Sequence, residues 1–459
     1  MGPAELPAEY TVRDMRTALR FLNRFSNLEA AAGRIHGLSL EAMRGLVGVM
    51  GDPHRDVRSV HVTGTNGKGS VSAMVSSLLA AAGLKVGGYS SPHVDTVRER
   101  LTMGGEMIDE EAFAEVVADL ERYAAVAPER PSYFELLTAA AFLWFSNEAV
   151  EAAVVEVGLL GRYDATNVID SDVSVVTNIG RDHTDGTGDW RRDVASEKAG
   201  IIRAGRPLVL GETSIDLREV FVAESPHPLW ERGADFGVRG AERAVGGQLL
   251  DLWTPSGDHA EVFLPLHGAH QADNAGIALA AAEAFLGAPL GKDAVAEGFG
   301  SVSIPGRMEV AATEPLVVLD GAHNQQAIRA LVAAVPEVFG AARRIVVIGA
   351  LGPREPSEVF DELAPLAPDL TIACAAPSPR AVPAADLAAL ARQRGMASEA
   401  VADAVDAVRL AVTLADEADL VLVTGSFYVL SAAREALALM ADEEDGLALP
   451  DSWGDELDT

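Results

Sequence analysis

The sequence predicts an α/β protein. A P-loop-type doubly wound N-terminal domain carrying a small antiparallel sheet precedes a smaller Rossmann-like α/β C-terminal domain. Three observations carry that prediction. Short β-branched runs alternate with segments of helical spacing along most of the chain, as in parallel sheets covered by helices on both faces. One of those runs, VHVT at 60–63, opens onto a turn holding Gly64, Gly67 and Gly69, then onto a helical stretch that stops at Gly83. The alternation breaks at GSVSIPGR, residues 300–307, and restarts beyond it.

Taken in order, residues 1–59 read as a helical arm. Apolar side chains recur at helical spacing in 10–29 and again in 38–51, and Gly51-Asp52-Pro53 ends the second run. Such helices either pack on the sheet or border a substrate site. Strand 60–63 and its helix follow, then a strand at 85–89 and helices at 109–126 and 132–147. The apolar runs 152–157 (AAVVEV) and 172–177 (DVSVVT) read as central parallel strands. A helix at 189–203 and a strand at 207–210 come next. Glycines interrupt short alternating runs over 233–265, which predicts the antiparallel sheet, and a helix covers 271–286.

Beyond the break, strands are expected at 316–320, 344–349, 369–374 and 419–424. Helices are expected at 324–339, 357–366, 383–394, 403–416 and 426–440. The domains are therefore drawn as 1–303 and 304–440. The stretch 441–459, acidic without a basic residue, is drawn as a disordered tail.

Composition agrees with this organisation. At 459 residues, and roughly 150 per domain, two or three domains are expected. A hydrophobic share of 49% supplies a large interior. Thirty-six basic against 68 acidic residues give a net charge of −32. That excess argues against a nucleic-acid partner, which needs a basic face, and requires any anionic ligand to be held in a local positive pocket. The single cysteine, Cys374, lies in the apolar stretch 370–376, where an inert core thiol is expected. No apolar run reaches the ~18 residues of a membrane span. No basic-then-apolar leader opens the chain, and Leu6 stands where myristoylation needs Ser or Thr. The expectation is a cytoplasmic monomer with no membrane partner.

Strand, glycine turn and helix start together suit phosphate. Backbone N–H groups come close to an anion, the helix start adds partial positive charge, and Lys68 adds a full one. The match to G-x-x-x-x-G-K-[ST] is imperfect: Val62 occupies the first glycine position and Gly69 separates Lys68 from Ser70. A glycine turn at such a junction also serves as a plain connection, and Lys68 in its strand–helix setting favours phosphate.

GTNGKGS at 64–70 resembles the ATP loop of the Mur ligase superfamily. Further stretches narrow the resemblance: YSSPH (89–93), EVGLLGRYDATN (156–167), DHTDG (182–186), SEKAGI (196–201), PGR (305–307), LDGAHN (319–324) and GSFY (425–428). In this order, over about residues 10–440, the chain is similar to the folylpolyglutamate synthase and dihydrofolate synthase family. The resemblance implies ATP-dependent amide ligation. The carboxylate of dihydropteroate or a reduced folate is phosphorylated to an acyl phosphate, and the amino group of L-glutamate displaces phosphate.

The same resemblance implies the site. Gly64, Thr65, Asn66, Gly67, Lys68, Gly69 and Ser70 would hold ATP. Ser91 and Glu156 would bind one Mg2+ and His183 a second, although histidine is an unusual ligand for this ion. Glu156 follows AAVV and so falls at the carboxyl end of its strand, where open α/β sheets place ligands. Lys198 corresponds to a lysine that is carbamylated in many Mur-type ligases; with Lys68 and His183 it would form the catalytic set. Asn274 would contact the adenine side of ATP. Arg307, Asp320 and His323 would close a second domain over the nucleotide, and Ser426 and Tyr428 would border the glutamate site. Each residue also has a plainer reading: a surface ion pair for Lys198, a loop histidine for His183, a helix cap at His323-Asn324, a helix start at Ser426.

Two departures stand out. Leu160 precedes Gly161 where the family has a second glycine. Arg354 and Glu355 stand where it often has a Lys-Asp pair near the incoming amino acid. Three alternatives accompany the bifunctional reading. They are a folylpolyglutamate synthase alone, another Mur-type ligase with a different acid, and a non-catalytic nucleotide switch, which would not need Glu156, His183 and Lys198 together. A peptidoglycan-precursor ligase is disfavoured, since such enzymes carry a further domain before the loop and only about 60 residues precede it here.

Overall fold

A computed structural model of the protein describes residues 12–27, 39–181, 187–352 and 355–442. They fold into two units: residues up to Pro265 with Gln271–Val302, and Leu266–His270 with the chain from Ser303 onward.

The first unit opens with helices α1 (Met15–Leu22) and α2 (Glu41–Val49). Asp14 caps α1, exchanging hydrogen bonds with Thr17 in a capping box. Next come β1 (Arg58–Thr63), α3 (Lys68–Ala81), β2 (Val86–Tyr89), β3 (Leu101–Met103) and β4 (Glu106–Met107). Helices α4 (Glu110–Val126) and α5 (Tyr133–Asn147) start at caps Asp109 and Ser132, whose side chains accept backbone N–H groups three residues on. Then follow β5 (Ala152–Glu156), β6 (Val173–Val176), α6 (Trp190–Ala199), β7 (Leu208–Leu210), α7 (Ile215–Val222) and β8 (Leu229–Glu231). The antiparallel strands β9 (Gly237–Ala244), β10 (Gly247–Thr254) and β11 (Gly257–Leu264) precede α8 (Ala269–Leu286) and α9 (Lys292–Gly300).

The main sheet runs β4-β3-β2-β5-β1-β6-β7-β8, parallel from β2 to β8 and closed by the β3–β4 hairpin at one edge. Strand β1 lies between β5 and β6, so the loop at its end is flanked by the ends of both neighbours. The arm helices join the core: Phe21, Leu22, Met43 and Leu46 share one buried cluster with Phe113, Leu120, Leu136 and Phe142. Helix α6 ends at Ala199, short of the predicted 203, because the chain turns at Gly200, where a Cβ would run into Arg162.

The second unit contains β12 (Glu309–Thr313), β13 (Leu316–Asp320), α10 (Gln325–Val338), β14 (Arg344–Ile348), α11 (Pro356–Leu363) and β15 (Leu370–Ala373). It ends with α12 (Ala384–Gln393), β16 (Ser398–Ala400), α13 (Ala404–Leu414), β17 (Leu420–Thr424) and α14 (Phe427–Asp442). Its sheet order is β12-β13-β17-β14-β15-β16, parallel except for β12. Cys374 is buried there, and burial pushes its thiol up to about 12, as an inert core residue requires. The tail beyond 442 lies outside the described residues, among which no helix is long and apolar enough to cross a membrane.

Candidate active site

The loop between β1 and α3 is built from backbone freedom and polar bracing. Gly64 has φ 150° and Gly67 φ 82°, angles that favour glycine. A Cβ on Gly64 would collide with the Thr177 hydroxyl, and one on Gly67 would stand 2.6 Å from Asn274 Oδ1. The segment after β6 holds the loop. The N–H groups of Thr65 and Asn66 donate to the carbonyl and the Oδ1 of Asn178, each at 3.0 Å. The Asn66 carbonyl accepts from Thr177 Oγ1 at 2.6 Å and Asn178 Nδ2 at 3.0 Å. Gly180 N–H donates to Thr65 Oγ1 at 2.9 Å. Sequence reasoning did not single out Thr177 and Asn178. Their signal was available: two polar residues standing at the very end of an apolar strand next to the glycine loop.

Charge collects on this loop from three other elements. Lys68 Nζ folds back to donate to the Gly64 carbonyl at 3.0 Å, and Lys198 Nζ, buried on α6, donates to the same oxygen at 2.9 Å. Glu156 ends β5 in a buried position; its Oε2 accepts from the Ser91 N–H at 3.4 Å and lies 3.6 Å from where a Cβ on Gly69 would be. From α8, Gln271 Nε2 donates to Ser70 Oγ at 3.3 Å and Asn274 Nδ2 donates to Gln271 Oε1 at 3.0 Å. Thus Lys68, Ser70, Ser91, Glu156, Lys198 and Asn274 gather around one turn, with Asn274 set against Gly67. His183 and the rest of 182–186 lie outside the described residues.

These donors fit magnesium chemically. It takes oxygen ligands, keeps several waters and shares substrate phosphates, so one carboxylate beside a serine suffices on the protein side. Among the described residues no three His, Cys, Asp or Glu side chains cluster closely enough to hold a metal ion by themselves.

The stretch after Glu156 folds back onto the loop. Leu160 has φ 57°, the left-handed conformation that a glycine would adopt without strain, and its carbonyl accepts from Thr63 Oγ1 at 2.7 Å. The departure at 160 therefore carries a strained leucine in a glycine-like turn. Asp164 is buried, which pushes its carboxyl up, while bonds from Thr166, Leu159 and Gly158 pull it back. Thr166 Oγ1 donates to Asp164 Oδ1 at 2.5 Å and lies 2.9 Å from His61 Nε2, inside β1. Burial holds His61 well below the ordinary range and therefore neutral. On the loop after Ser91, Arg100 Nε donates to His93 Nδ1 at 2.9 Å. Burial, then the Arg100 charge, brings His93 down to about 4.

In the second unit, Arg307, Asp320 and His323 come together at the ends of β13 and β17. Asp320 is buried, which raises its pKa, while the Arg307 charge opposes the shift. Its oxygens accept the N–H groups of Met308 and Ala322, both at 2.9 Å. Glu309 accepts from the Gly306 N–H at 2.6 Å and from Arg434 on α14 at 2.9 Å, so the turn carrying Arg307 is held on both sides. His323 Nδ1 lies 2.7 Å from the Gly321 carbonyl, and Asn324 is the residue that caps α10, accepting from Ala327 N at 2.9 Å. Ser426 is buried and Tyr428 is exposed, one on each side of Phe427 at the start of α14.

Comparison with known proteins covers both units. The Mur ligase middle domain matches residues 62–282 and the Mur ligase glutamate ligase domain residues 306–427. The dihydrofolate synthase/folylpolyglutamate synthase of Mycobacterium tuberculosis is 36% identical over 438 residues, spanning 86% of this chain and 89% of its own. The protein of the same name from Bacillus subtilis is 31% identical over 90% of this chain and 100% of its own. Among solved structures, M. tuberculosis folylpolyglutamate synthase complexed with ADP and AMPPCP has a TM-score of 0.85 at 33% identity, covering 92% of this chain and 97% of that one. The Escherichia coli enzyme in complex with DHPP and ADP has a TM-score of 0.82 at 29% identity, covering 94% and 99%. With both catalytic modules matched and the glycine loop built as described, this chain belongs to the dihydrofolate synthase/folylpolyglutamate synthase family of Mur ligases.

Proposed function

We propose that this protein is an ATP-dependent ligase that joins L-glutamate to dihydropteroate and to reduced folates through an acyl phosphate. The observation that carries the reading is the convergence of Lys68, Lys198 and Glu156 on the glycine loop at the start of α3. A carboxylate is a poor electrophile because oxide is a poor leaving group, so the chemistry lies in moving the ATP γ-phosphoryl onto it. That step concentrates negative charge, and fixed positive groups stabilise the transition state.

In this reading the N–H groups at the start of α3 bind phosphate, and Lys68 swings from the Gly64 carbonyl onto the outer phosphates. Ser91 and Glu156 would hold one magnesium and His183 a second; bound there, the metal neutralises phosphate charge. Asn274 orients the nucleotide, Arg307 and His323 meet phosphate, and Asp320 meets ribose hydroxyls. The acyl phosphate is kept from water until the glutamate amine attacks carbon and phosphate leaves, with Ser426 and Tyr428 bordering that amine. Lys198 is a candidate for carbamylation: carbon dioxide adds to its neutral amine, a proton leaves, and the resulting anion would stand beside the glycine loop, where it would help hold magnesium. A cytoplasmic monomer is part of the same proposal, and light scattering tests the monomer.

The test is phosphate release with ATP and glutamate, comparing dihydropteroate, tetrahydrofolate and no acceptor. Turnover with both pterins is expected. Turnover with neither, but with an unrelated acid, overturns the folate assignment; full turnover by Glu156→Ala removes the proposed metal site.

A further inference from the structure

The Phe427 ring touches two of the proposed nucleotide-site residues of the second unit, Arg307 and His323. The Arg307 guanidinium carbon lies 4.8 Å from its ring centroid, within cation–π range. The His323 ring lies 6.2 Å away at 58°, a tilted aromatic contact. The surrounding backbone leaves room for this ring. A Cβ on Gly321 would stand 2.8 Å from Phe427 Cζ and 2.9 Å from Arg307 Nη1, so residue 321 is bare where ring and guanidinium meet. A Cβ on Gly306 would come within 3.6 Å of Cε1 and closer still, at 2.7 Å, to Leu430 on the next turn of α14.

The neighbouring contacts define what the ring does. Arg307 Nη1 donates to the Gly306 carbonyl at 3.0 Å, which leaves several guanidinium donors for a ligand. Asp320, whose carboxyl feels the Arg307 charge, spends one oxygen on the Met308 N–H and the other on the Ala322 N–H. The orientation of Arg307 is therefore set by a π-face beneath it more than by an ion pair. An arginine has a long stem whose ordering costs rotamer entropy, so a platform that orders it beforehand strengthens whatever it then binds. A carboxylate platform would do this too, but would compete with phosphate for the same donors; an aromatic face does not.

We propose that Phe427 is a positioning residue for the ligase reaction: its ring holds the Arg307 guanidinium ready for the ATP phosphates and braces His323 beside it. The proposal rests on the assignment of Arg307 to ATP in the reading above. It gives the third residue of GSFY a task distinct from those of its neighbours Ser426 and Tyr428.

The experiment compares Phe427→Leu, Phe427→Tyr and Phe427→Trp with the full-length enzyme, together with the cycle formed by Arg307→Ala and the Phe427→Leu/Arg307→Ala double variant. Steady-state phosphate release is measured against ATP concentration. Leucine fills the space without a π-face, so Phe427→Leu is expected to lower kcat/KM for ATP about tenfold, with KM for glutamate unmoved, while Tyr and Trp recover most of the loss. In the Arg307→Ala background the leucine is expected to cost far less, only the share that passes through His323. Wild-type kcat/KM in Phe427→Leu, a loss of full size in the Arg307→Ala background, or failure of Tyr and Trp to recover it each overturns the proposal. Should Phe427→Leu not fold, Phe427→Met, a side chain of similar volume without a π-face, takes its place in the same cycle: wild-type kcat/KM overturns the platform, a loss near tenfold that largely disappears in the Arg307→Ala background supports it. Wild-type protein inactive on every pterin overturns the parent assignment instead, because the comparison among variants presupposes that turnover.

Discussion

Lys68 and Lys198, 130 residues apart in sequence, donate to one oxygen, the carbonyl of Gly64, at 3.0 and 2.9 Å. Two ammonium groups so placed repel each other, and either phosphate or a carbamate on Lys198 relieves the repulsion. Lys198→Gln is expected to lower phosphate release at least about a hundredfold, the scale of losing one preorganised charge in a phosphoryl-transfer site. Incubation with 13C-bicarbonate should give a carbamate carbon resonance in the wild type that Lys198→Gln lacks; a wild-type spectrum without it means that this lysine works as an ammonium.

Leu160 holds φ 57°, left-handed backbone that glycine adopts without strain. Left-handed backbone costs a side-chain-bearing residue roughly 1–2 kcal/mol, part of which glycine returns through its looser unfolded chain. Leu160→Gly should therefore stabilise the protein by about 1 kcal/mol in thermal or urea unfolding. A destabilised variant would mean that the leucine side chain contributes packing that outweighs the strain.

His93 titrates near 4 in the folded protein, against 6.5 for the free side chain, because burial and Arg100 disfavour its charge. Between those values the unfolded chain binds more protons, so stability rises with pH through the window 4 to 6.5 and levels off above it. On lowering the pH from 6.5 to 4, this one group removes about 3 kcal/mol of stability. His93→Gln should flatten that part of the stability profile, measured by urea unfolding at several pH values; an unchanged slope rules out His93 as its source.

Thr166 connects Asp164 and His61 through a single hydroxyl. Thr166→Val keeps the shape and removes the hydroxyl, leaving two buried polar groups short of a partner. A loss of about 1–3 kcal/mol is expected, with the unfolding midpoint as the measurement. A neutral result would mean that Asp164 and His61 find other partners.

The sequence made the alternation of both units legible because central strands such as AAVVE and LVLVT are apolar on both faces and bounded by turn residues. Elements it did not reveal are short or lie at edges. The hairpin 101–107 alternates over too few residues, β8 and β16 have three residues each, and the β12 run EVAAT is barely distinguishable from a loop. Glu156 and Lys68 were readable from their places at a strand end and a helix start. Lys198 was not, because nothing in SEKAGI says that its helix buries it against a loop more than a hundred residues earlier. Phe427 was hidden for a related reason: an aromatic at the start of a helix looks like core until Gly321 and Gly306 are seen to make room for it.

The chain His61–Thr166–Asp164 has a direction. An ionised Asp164 accepts only, so the Thr166 hydroxyl must donate to it and must in turn accept from His61, which puts the imidazole proton on Nε2 and leaves Nδ1 bare and buried. The tautomer of one histidine in the strand that leads into the ATP loop thus registers the protonation of a carboxylate two hydrogen bonds away. Nitrogen-15 chemical shifts of that imidazole would make the protein its own indicator dye, reporting from inside β1, without any added label near the nucleotide, whether the segment that follows Glu156 carries its charge.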